Sequence, residues 1–170
     1  MAVSKVTYAT SAAITMDLSA LATSSTLLAG RESSQIDNTT NLYIDALVQG
    51  TVIVGTTPTT AKTIAVYVYG SDTSLATTAI DVLDGTDSAE TLTNAGLRNT
   101  ALKFAAAVTL DATTSDLDYF IAPFSVASLF GGNMPKYWGL FVTHDTVAAL
   151  KTDAGNTNSF SYTGITYTTT

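Results

Sequence analysis

The stretch that decides the fold is PFSVASLFGGNMPKYWGLFVTHDTVAAL, residues Pro123–Leu150. It contains the only tryptophan of the chain, Trp138, and the only histidine, His144. The turn-forming sequence Gly-Gly-Asn-Met-Pro is followed by Lys136–Thr143 (KYWGLFVT), whose aromatic and β-branched residues are typical of a buried strand. This order of turn and apolar run predicts a strand at the centre of a sheet.

The segment before the turn has a different spacing. Val126, Leu129 and Phe130 follow one another at the i, i+3, i+4 intervals of one or two helical turns. Gly131 comes next and can adopt the positive φ that commonly ends a helix. We therefore predict a short helical plug that leads directly into the Trp138 strand.

The rest of the chain indicates an all-β protein. Ile64–Tyr69 (IAVYVY) is the clearest strand, and because both of its faces are apolar it is expected to be central or covered by a neighbour. Similar patterns predict strands over Ile14–Leu18, Thr100–Leu110, Leu117–Phe124 and Phe160–Thr168. Val3–Tyr8 is predicted to be a first strand or an arm along another subunit, and Leu42–Val54 a strand pair or one strand bent at Gly50. No helical period is sustained, which favours an antiparallel β-sandwich, jelly-roll-like, over alternating βα units. At 170 residues we expect a single domain, 1–170, with extended N- and C-terminal segments.

Composition excludes several classes of function. Charged residues make up 12% of the chain and the net charge is −7, so clustered cations for nucleic acid are not expected. Cysteine is absent, which removes thiolate sites and disulfides. No leader and no apolar run near the roughly 20 residues of a membrane span is evident, so we expect a soluble protein with no membrane partner.

A surface of small uncharged side chains loses little conformational entropy when it is covered. This property favours a subunit packed among neighbours. A compositional bias, or the β-propensity of threonine alone, explains the same surface equally well.

Two acid-containing sets are candidates for a catalytic site. His144 and Asp145 are adjacent, but neighbours on a strand point to opposite faces, so a structural histidine is favoured over a catalytic pair. Asp116 and Asp118 are expected to share one face of a strand, as paired glycosidase carboxylates would, yet nothing beside them would raise one pKa. We predict no catalytic residue.

The segment Ser71–Ala95 is predicted to be a long polar loop with a functional or interface role, and Arg31–Asn41 a second polar loop. Acids recur in the first at every third position: Asp81, Asp84, Asp87 and Glu90. Oxygen-rich loops bind calcium, but this spacing does not match the EF-hand. A solvated acidic loop without a metal or cofactor is the favoured interpretation.

Aromatic residues suggest surfaces for recognition. The eight tyrosines and Trp138 could form a platform for sugar rings, although Trp138 in mid-strand is more typical of core. Tyr67 and Tyr69 are predicted to form an exposed or subunit-facing patch. With the two chain ends, the predicted interface residues are Val3, Val6, Tyr8, Tyr67, Tyr69, Tyr162 and Tyr167.

Sequence blocks throughout the chain resemble small virion structural proteins of tailed bacteriophages. The most distinctive is FSVASLFGGNMPKYWGLFV at Phe124–Val142, and the others are Val6–Leu18, Ile36–Tyr43, Ile64–Gly70 and Ser161–Tyr167. The resemblance implies a component of the particle and no catalytic residue. It does not imply a position within the particle.

Resemblance and composition together lead us to expect a non-enzymatic decoration or cement protein on the capsid surface of a virion. Its partners would be the major capsid protein and further copies of itself, with a trimer favoured. A tail, neck or fibre-base component is the alternative within the particle. A carbohydrate-binding module is the alternative outside it, by analogy of fold alone.

Overall fold

A computed structural model describes residues 4–152 and 158–169. Two antiparallel sheets pack as a sandwich around the main apolar core. The five-stranded sheet has the order β1 (Ser4–Tyr8), β11 (Ser159–Thr169), β5 (Asp45–Ile53) and β9 (Asp118–Ser125), with β2 (Ala12–Ile14) also paired to β11. The six-stranded sheet has the order β7 (Ser88–Thr91), β3 (Ala29–Glu32), β10 (Tyr137–His144), β6 (Thr63–Ser71) and β8 (Lys103–Thr109), with β4 (Ile36–Asp37) also paired to β10. The predicted sandwich is confirmed, and jelly-roll connectivity stays a prediction.

The Trp138 strand is central, as the sequence predicts. Strand β10 lies between β6 on one side and β3 and β4 on the other. Its side chains alternate, so Trp138, Leu140 and Val142 enter the core between the sheets while Phe141 points to the other face. Both faces of this strand are therefore buried.

The helical plug is also confirmed, as α2 (Val126–Leu129). The Ser125 hydroxyl accepts a hydrogen bond from the Ser128 amide at 3.1 Å, which caps the first turn. At the other end Gly131 has φ +71°, and the Gly132 amide donates to the Ala127 carbonyl at 2.8 Å. This closure positions the chain to enter β10.

Residues 72–102, which we call the insertion, cover the outer face of the six-stranded sheet. The insertion contains β7 and the helix α1 (Ala95–Ala101). A second apolar core forms where its leucines meet the sheet: Leu75, Leu83, Leu92 and Leu102 against Ala65, Tyr67, Tyr69 and Phe141. The prediction of a long polar loop at Ser71–Ala95 is thus wrong. The buried leucines have no local signal in the sequence, because they are spaced too widely for a helix or strand pattern.

Several predicted element boundaries also differ, three of them with a clear structural cause. The Ile14–Leu18 strand ends at Ile14, although Ile14, Met16 and Leu18 are all buried. The polar loop at Arg31–Asn41 includes the end of β3 and all of β4. Thr100 and Ala101 belong to α1, so the strand predicted from Thr100 begins at Lys103.

We expect Gly139→Ala to lower the free energy of unfolding by about 1–3 kcal/mol, because β10 at Gly139 has no room for a methyl group. A Cβ atom there would overlap the Tyr69 hydroxyl and lie 2.8 Å from the Ser33 Oγ. The same two groups hold the strands together, since the Tyr69 hydroxyl donates to the Ser33 carbonyl at 2.8 Å and the Leu140 amide to the Ser33 Oγ at 2.9 Å. Urea unfolding followed by circular dichroism measures the loss.

Gly96→Ala is the control, since Gly96 is an exposed position of α1 where a Cβ meets only the Asn94 Oδ1, at 2.9 Å, and this atom is the end of an exposed side chain that can shift. Alanine is favoured over glycine in a helix, so this variant should lose no more than a few tenths of a kcal/mol. Equal losses in the two variants would contradict the packing argument for Gly139.

Candidate functional site

His144 is a buried structural residue. Its Nδ1 lies 2.9 Å from the Thr146 hydroxyl and its Nε2 lies 3.0 Å from the Leu21 carbonyl. Because a carbonyl only accepts, Nε2 carries the proton. Burial lowers the pKa of the ring, and the neighbouring Asp145 instead accepts from the Thr63 amide at 2.6 Å. The two side chains do not form a base and its orienting partner.

The acids of the insertion are held separately. Asp81 accepts from the Thr93 amide and hydroxyl at 2.7 and 2.6 Å, and these bonds lower the pKa of Asp81. Asp87 pairs with the Arg31 guanidinium at 2.6 Å. Within residues 4–152 and 158–169, no three histidine or acidic side chains lie together as a metal site would require. The structure therefore does not assemble the four acids around a cation.

Asp116 and Asp118 do not share a strand face, so that prediction is wrong. Asp116 precedes β9 in a turn with φ +61°, and its carboxylate lies 3.7 Å from the Lys151 ammonium. Asp118 is the first residue of β9 and is exposed. The strand was predicted to begin at Leu117, but the left-handed turn rotates Asp116 away from the β alternation.

Tyr67 and Tyr69 are buried, so the exposed patch predicted for them is wrong. Tyr69 has no exposed surface. The Tyr67 ring packs edge-on against Phe104, with centroids 5.6 Å apart, and the Arg98 guanidinium lies 5.8 Å from its centroid. The insertion covers both tyrosines and takes the place of the neighbouring subunit that the sequence suggested.

Trp138 cannot contribute to a sugar platform because it has no exposed surface. Tyr162, another predicted interface residue, is half-buried against it with ring centroids 5.4 Å apart at 84°. Its contact with Trp138 faces the core. Val3 lies outside the described residues.

The remaining predicted residues, Val6, Tyr8 and Tyr167, come together on a two-stranded ribbon. The ribbon consists of β1 paired with residues Ile165–Thr169 of β11. Val6 is directly opposite Tyr167, and Tyr8 is opposite Ile165, so their side chains lie on one face. Val6, Tyr8 and Tyr167 are 53%, 61% and 63% exposed.

The ribbon extends past the body of the sandwich. Strand β5 ends its pairing with β11 at Asp45 and Ile165. Beyond that point the only strand paired with β11, among the described residues, is β1. The outer backbone edge of β1 has no strand partner within the same part of the chain, and every residue of β1 is exposed. The ribbon therefore offers both an apolar face and a free sheet edge.

The outer face of the five-stranded sheet is also uncovered, and Val6, Tyr8 and Tyr167 of the ribbon lie on the same side of this sheet. Alternation along β5, β9 and β11 directs Leu47, Gln49, Thr51, Phe120 and Thr163 outwards, since Val48, Val52, Ile121 and Phe160 are in the core. We call these outward side chains, together with Ser161, the open face. All six are half-buried or exposed.

A buried carboxyl group, Glu32, was missed by sequence reasoning. Glu32 ends β3, has no exposed surface, and accepts from the amides of Gly85 at 2.7 Å and Asp84 at 3.1 Å. Burial raises the pKa of Glu32 to about 7; the nearby carboxylates of Asp84 and Glu90 add to this effect, and the two amide bonds oppose it. The group links the insertion to the sheet.

Across the described residues, no helix combines the length and the apolar character needed to cross a membrane.

Comparison with protein-family models, curated protein sequences and solved structures found no match to this chain.

Proposed function

We propose that this protein is a structural subunit of a phage virion that decorates and stabilises the assembled capsid shell. The observation that carries the proposal is the ribbon, with its exposed Val6, Tyr8 and Tyr167. Isolated exposed apolar side chains are common on proteins, whereas a contiguous exposed apolar patch marks an interaction site, and these three side chains lie together on one face of the ribbon.

The ribbon has two ways to bind a neighbour. Its apolar face can fill a groove on the shell, with tyrosines as the side chains that most often dominate interface energy. The free edge of β1 can also add a strand to a neighbouring sheet, which supplies main-chain hydrogen bonds. Both modes require a preformed partner surface, which an assembled shell offers to many copies at once.

Binding of this kind stabilises the shell by mass action. A protein that binds assembled subunits more tightly than separated ones shifts the equilibrium towards the shell. Several weak contacts on one subunit then act together, since the second contact forms at high effective concentration. This requires no catalytic chemistry from the decorating protein.

Quantitative mass spectrometry of purified particles, scaled to the major capsid protein, tests the proposal. A copy number close to that of the capsid protein is the expected result. A handful of copies would favour the alternative of a tail, neck or fibre-base component. Complete absence would overturn the virion assignment and favour the carbohydrate-binding alternative, for which a thermal shift on a glycan panel is the next measurement.

We expect Val6→Ser combined with Tyr167→Ser to weaken shell binding by about 10-fold or more, because truncated interface anchors typically cost at least 1–2 kcal/mol each. Both positions are exposed, so the melting temperature of the free protein should change little. Occupancy is measured by mixing the variant with shells that lack the protein, followed by sedimentation.

Val147→Ser is the matched control, since Val147 is 57% exposed in a loop outside the ribbon. It removes the same side chain as Val6→Ser and should bind shells as the unmodified protein does. Unchanged occupancy of the Val6 and Tyr167 variant would contradict attachment through the ribbon and leave the virion assignment to the copy-number measurement.

A further inference from the structure

We propose that the open face is a self-association surface, on which a second copy of this chain packs sheet against sheet about a two-fold axis. This inference concerns the free protein and does not depend on the proposed virion role. It rests on the distribution of charge, on the size of the face and on the position of the insertion.

Charge is almost absent from the open face. Along the described parts of β5, β9 and β11, the charged residues in outward register are Asp45 and Asp118. The Asp45 carboxylate is turned towards α2, where it accepts from the Ser125 hydroxyl at 2.7 Å and the Ala127 amide at 2.9 Å. Asp118 lies at the end of β9. A chain of net charge −7 thus has a central sheet face with no ionised side chain.

Most acidic residues of the insertion lie on the side of the sandwich opposite the open face. Asp72, Asp81, Asp84, Asp87 and Glu90 all belong to the insertion, which covers the six-stranded sheet. When two open faces meet, each copy directs its insertion away from the contact. Sheets pack about 10 Å apart, so at least two sheet layers separate Asp81, Asp84 and Glu90 from the interface. At physiological salt that separation exceeds the screening length of about 8 Å. Asp87 lies instead at the flank of the sandwich, where its carboxylate accepts from the Asp17 amide at 3.1 Å.

This arrangement explains why the partner is another copy. Two molecules of the same negative charge repel wherever carboxylates face each other, and the open face is the broad surface on which they do not. A cationic partner would instead be attracted to the insertion. The uncharged face is therefore better suited to itself than to a basic protein.

The size of the face is sufficient for a pair. The edge formed by β1 and β2 together lies beside β11, and β5 and β9 follow, which gives this side of the sheet a width of about 19 Å at the usual strand spacing. The nine residues of β5 span about 30 Å. The pair would bury about 600 Å² on each copy, and this total of about 1,200 Å² is the lower end of the range for specific stable interfaces.

Gln49 provides the test because it lies at the middle of β5, is exposed, and is flanked by the buried Val48 and Gly50. Gln49→Glu would bring two carboxylates towards each other near the axis without a change of shape. We expect the dimer dissociation constant, measured by sedimentation velocity up to about 100 μM, to rise at least 10-fold. Gln49→Lys should weaken self-association similarly.

A mixture of the Gln49→Glu and Gln49→Lys proteins should form a heterodimer, since opposite charges then meet across the axis. Asn133→Asp is the control, because it makes the same change from amide to carboxylate on an exposed turn outside the open face. It should dimerise as the unmodified chain does. Circular dichroism verifies that each variant is folded.

A dimer weakened by both Gln49 variants and restored by their mixture supports the proposal. A monomer throughout the concentration range, or a dimer that Gln49→Glu leaves unchanged, would overturn it. A trimer, which the sequence analysis expects, would also overturn it, because face-to-face packing about a two-fold axis closes at two copies.

Discussion

Trp138→Ala is expected to lower the free energy of unfolding by about 3–5 kcal/mol, the usual cost of truncating a large buried aromatic residue. Trp138 has no exposed surface and lies on the central strand between Gly70 of β6 and Ile36 of β4. It also packs perpendicular to Tyr162. The truncation therefore opens a cavity at the meeting point of both sheets.

Denaturant unfolding followed by far-ultraviolet circular dichroism measures this loss, because the variant has no tryptophan fluorescence. For a domain of this size, 3–5 kcal/mol corresponds to a decrease in melting temperature of roughly 10–15 °C. Since native domains are stable by only about 5–15 kcal/mol, we expect part of the population to unfold at 37 °C. Leu42→Ala, at a residue 70% exposed in a loop outside the open face, is the control and should cost less than about 1 kcal/mol.

Trp138→Phe separates packing from hydrogen bonding. The Trp138 Nε1 has no hydrogen-bond partner among the described residues, so phenylalanine removes volume without removing a bond. We expect a loss of about 1–2 kcal/mol, well below that of alanine. A loss equal to that of Trp138→Ala would contradict the packing argument and indicate a hydrogen bond to an ordered water.

The elements that sequence predicts well are those with a local signal. The plug and β10 follow from residues within one short stretch, in which apolar spacing, glycine and proline all agree. The two apolar faces of β6 correctly indicated a covered strand. The apolar alternation of β6 does not identify the segment that covers the strand. The covering leucines, among them Leu75 and Leu92, come from a segment without apolar periodicity.

The candidate surfaces depend on contacts that are distant in sequence. Val6 and Tyr167 were both predicted at an interface, but their direct pairing joins opposite ends of the chain. Tyr67 and Tyr69 have the same local pattern as exposed aromatics, and only the fold of the insertion distinguishes them. The open face was not predicted, since its residues become one surface only when β5, β9 and β11 are placed side by side.

Glu32 shows the same limit for a single residue. In sequence it lies in the polar run Arg31–Asn41, which is typical of an exposed loop. In the fold, β3 pairs with β10 on one side and β7 on the other, and the turn at Asp84 and Gly85 closes over the carboxyl group. Burial is thus a property of the insertion and not of the strand that bears Glu32.

The stability of the protein is expected to fall as pH rises from about 5 to about 8, through the contribution of Glu32. The pKa of Glu32 is raised from 4.5 to about 7 in the folded protein. Between these two values the folded state keeps the proton and the unfolded state releases it, so unfolding becomes more favourable with each increase in pH. The full loss at this site, reached above pH 7, is about 3 kcal/mol.

Glu32→Gln isolates that contribution, because glutamine is neutral at every pH and retains an oxygen that accepts from a backbone amide. The variant should gain about 3 kcal/mol relative to the unmodified protein between pH 5 and pH 8. His144 acts in the opposite direction, since burial lowers its pKa and stability is lost as pH falls below the ordinary value. Its effect is common to both proteins and cancels in their difference.

Hydrogen exchange locates the effect in the molecule. The amides of Asp84 and Gly85 donate to the Glu32 carboxyl group. Ionisation of Glu32 should therefore first increase local opening of this turn of the insertion. After correction for the intrinsic rate, we expect protection of these amides to decrease between pH 6 and pH 8 in the unmodified protein and to stay constant in Glu32→Gln.

A stability difference between the two proteins that is the same at pH 5 and pH 8 would mean that Glu32 is ionised throughout. The two amide hydrogen bonds would then outweigh burial, and the carboxylate would act as a permanent anchor for the insertion.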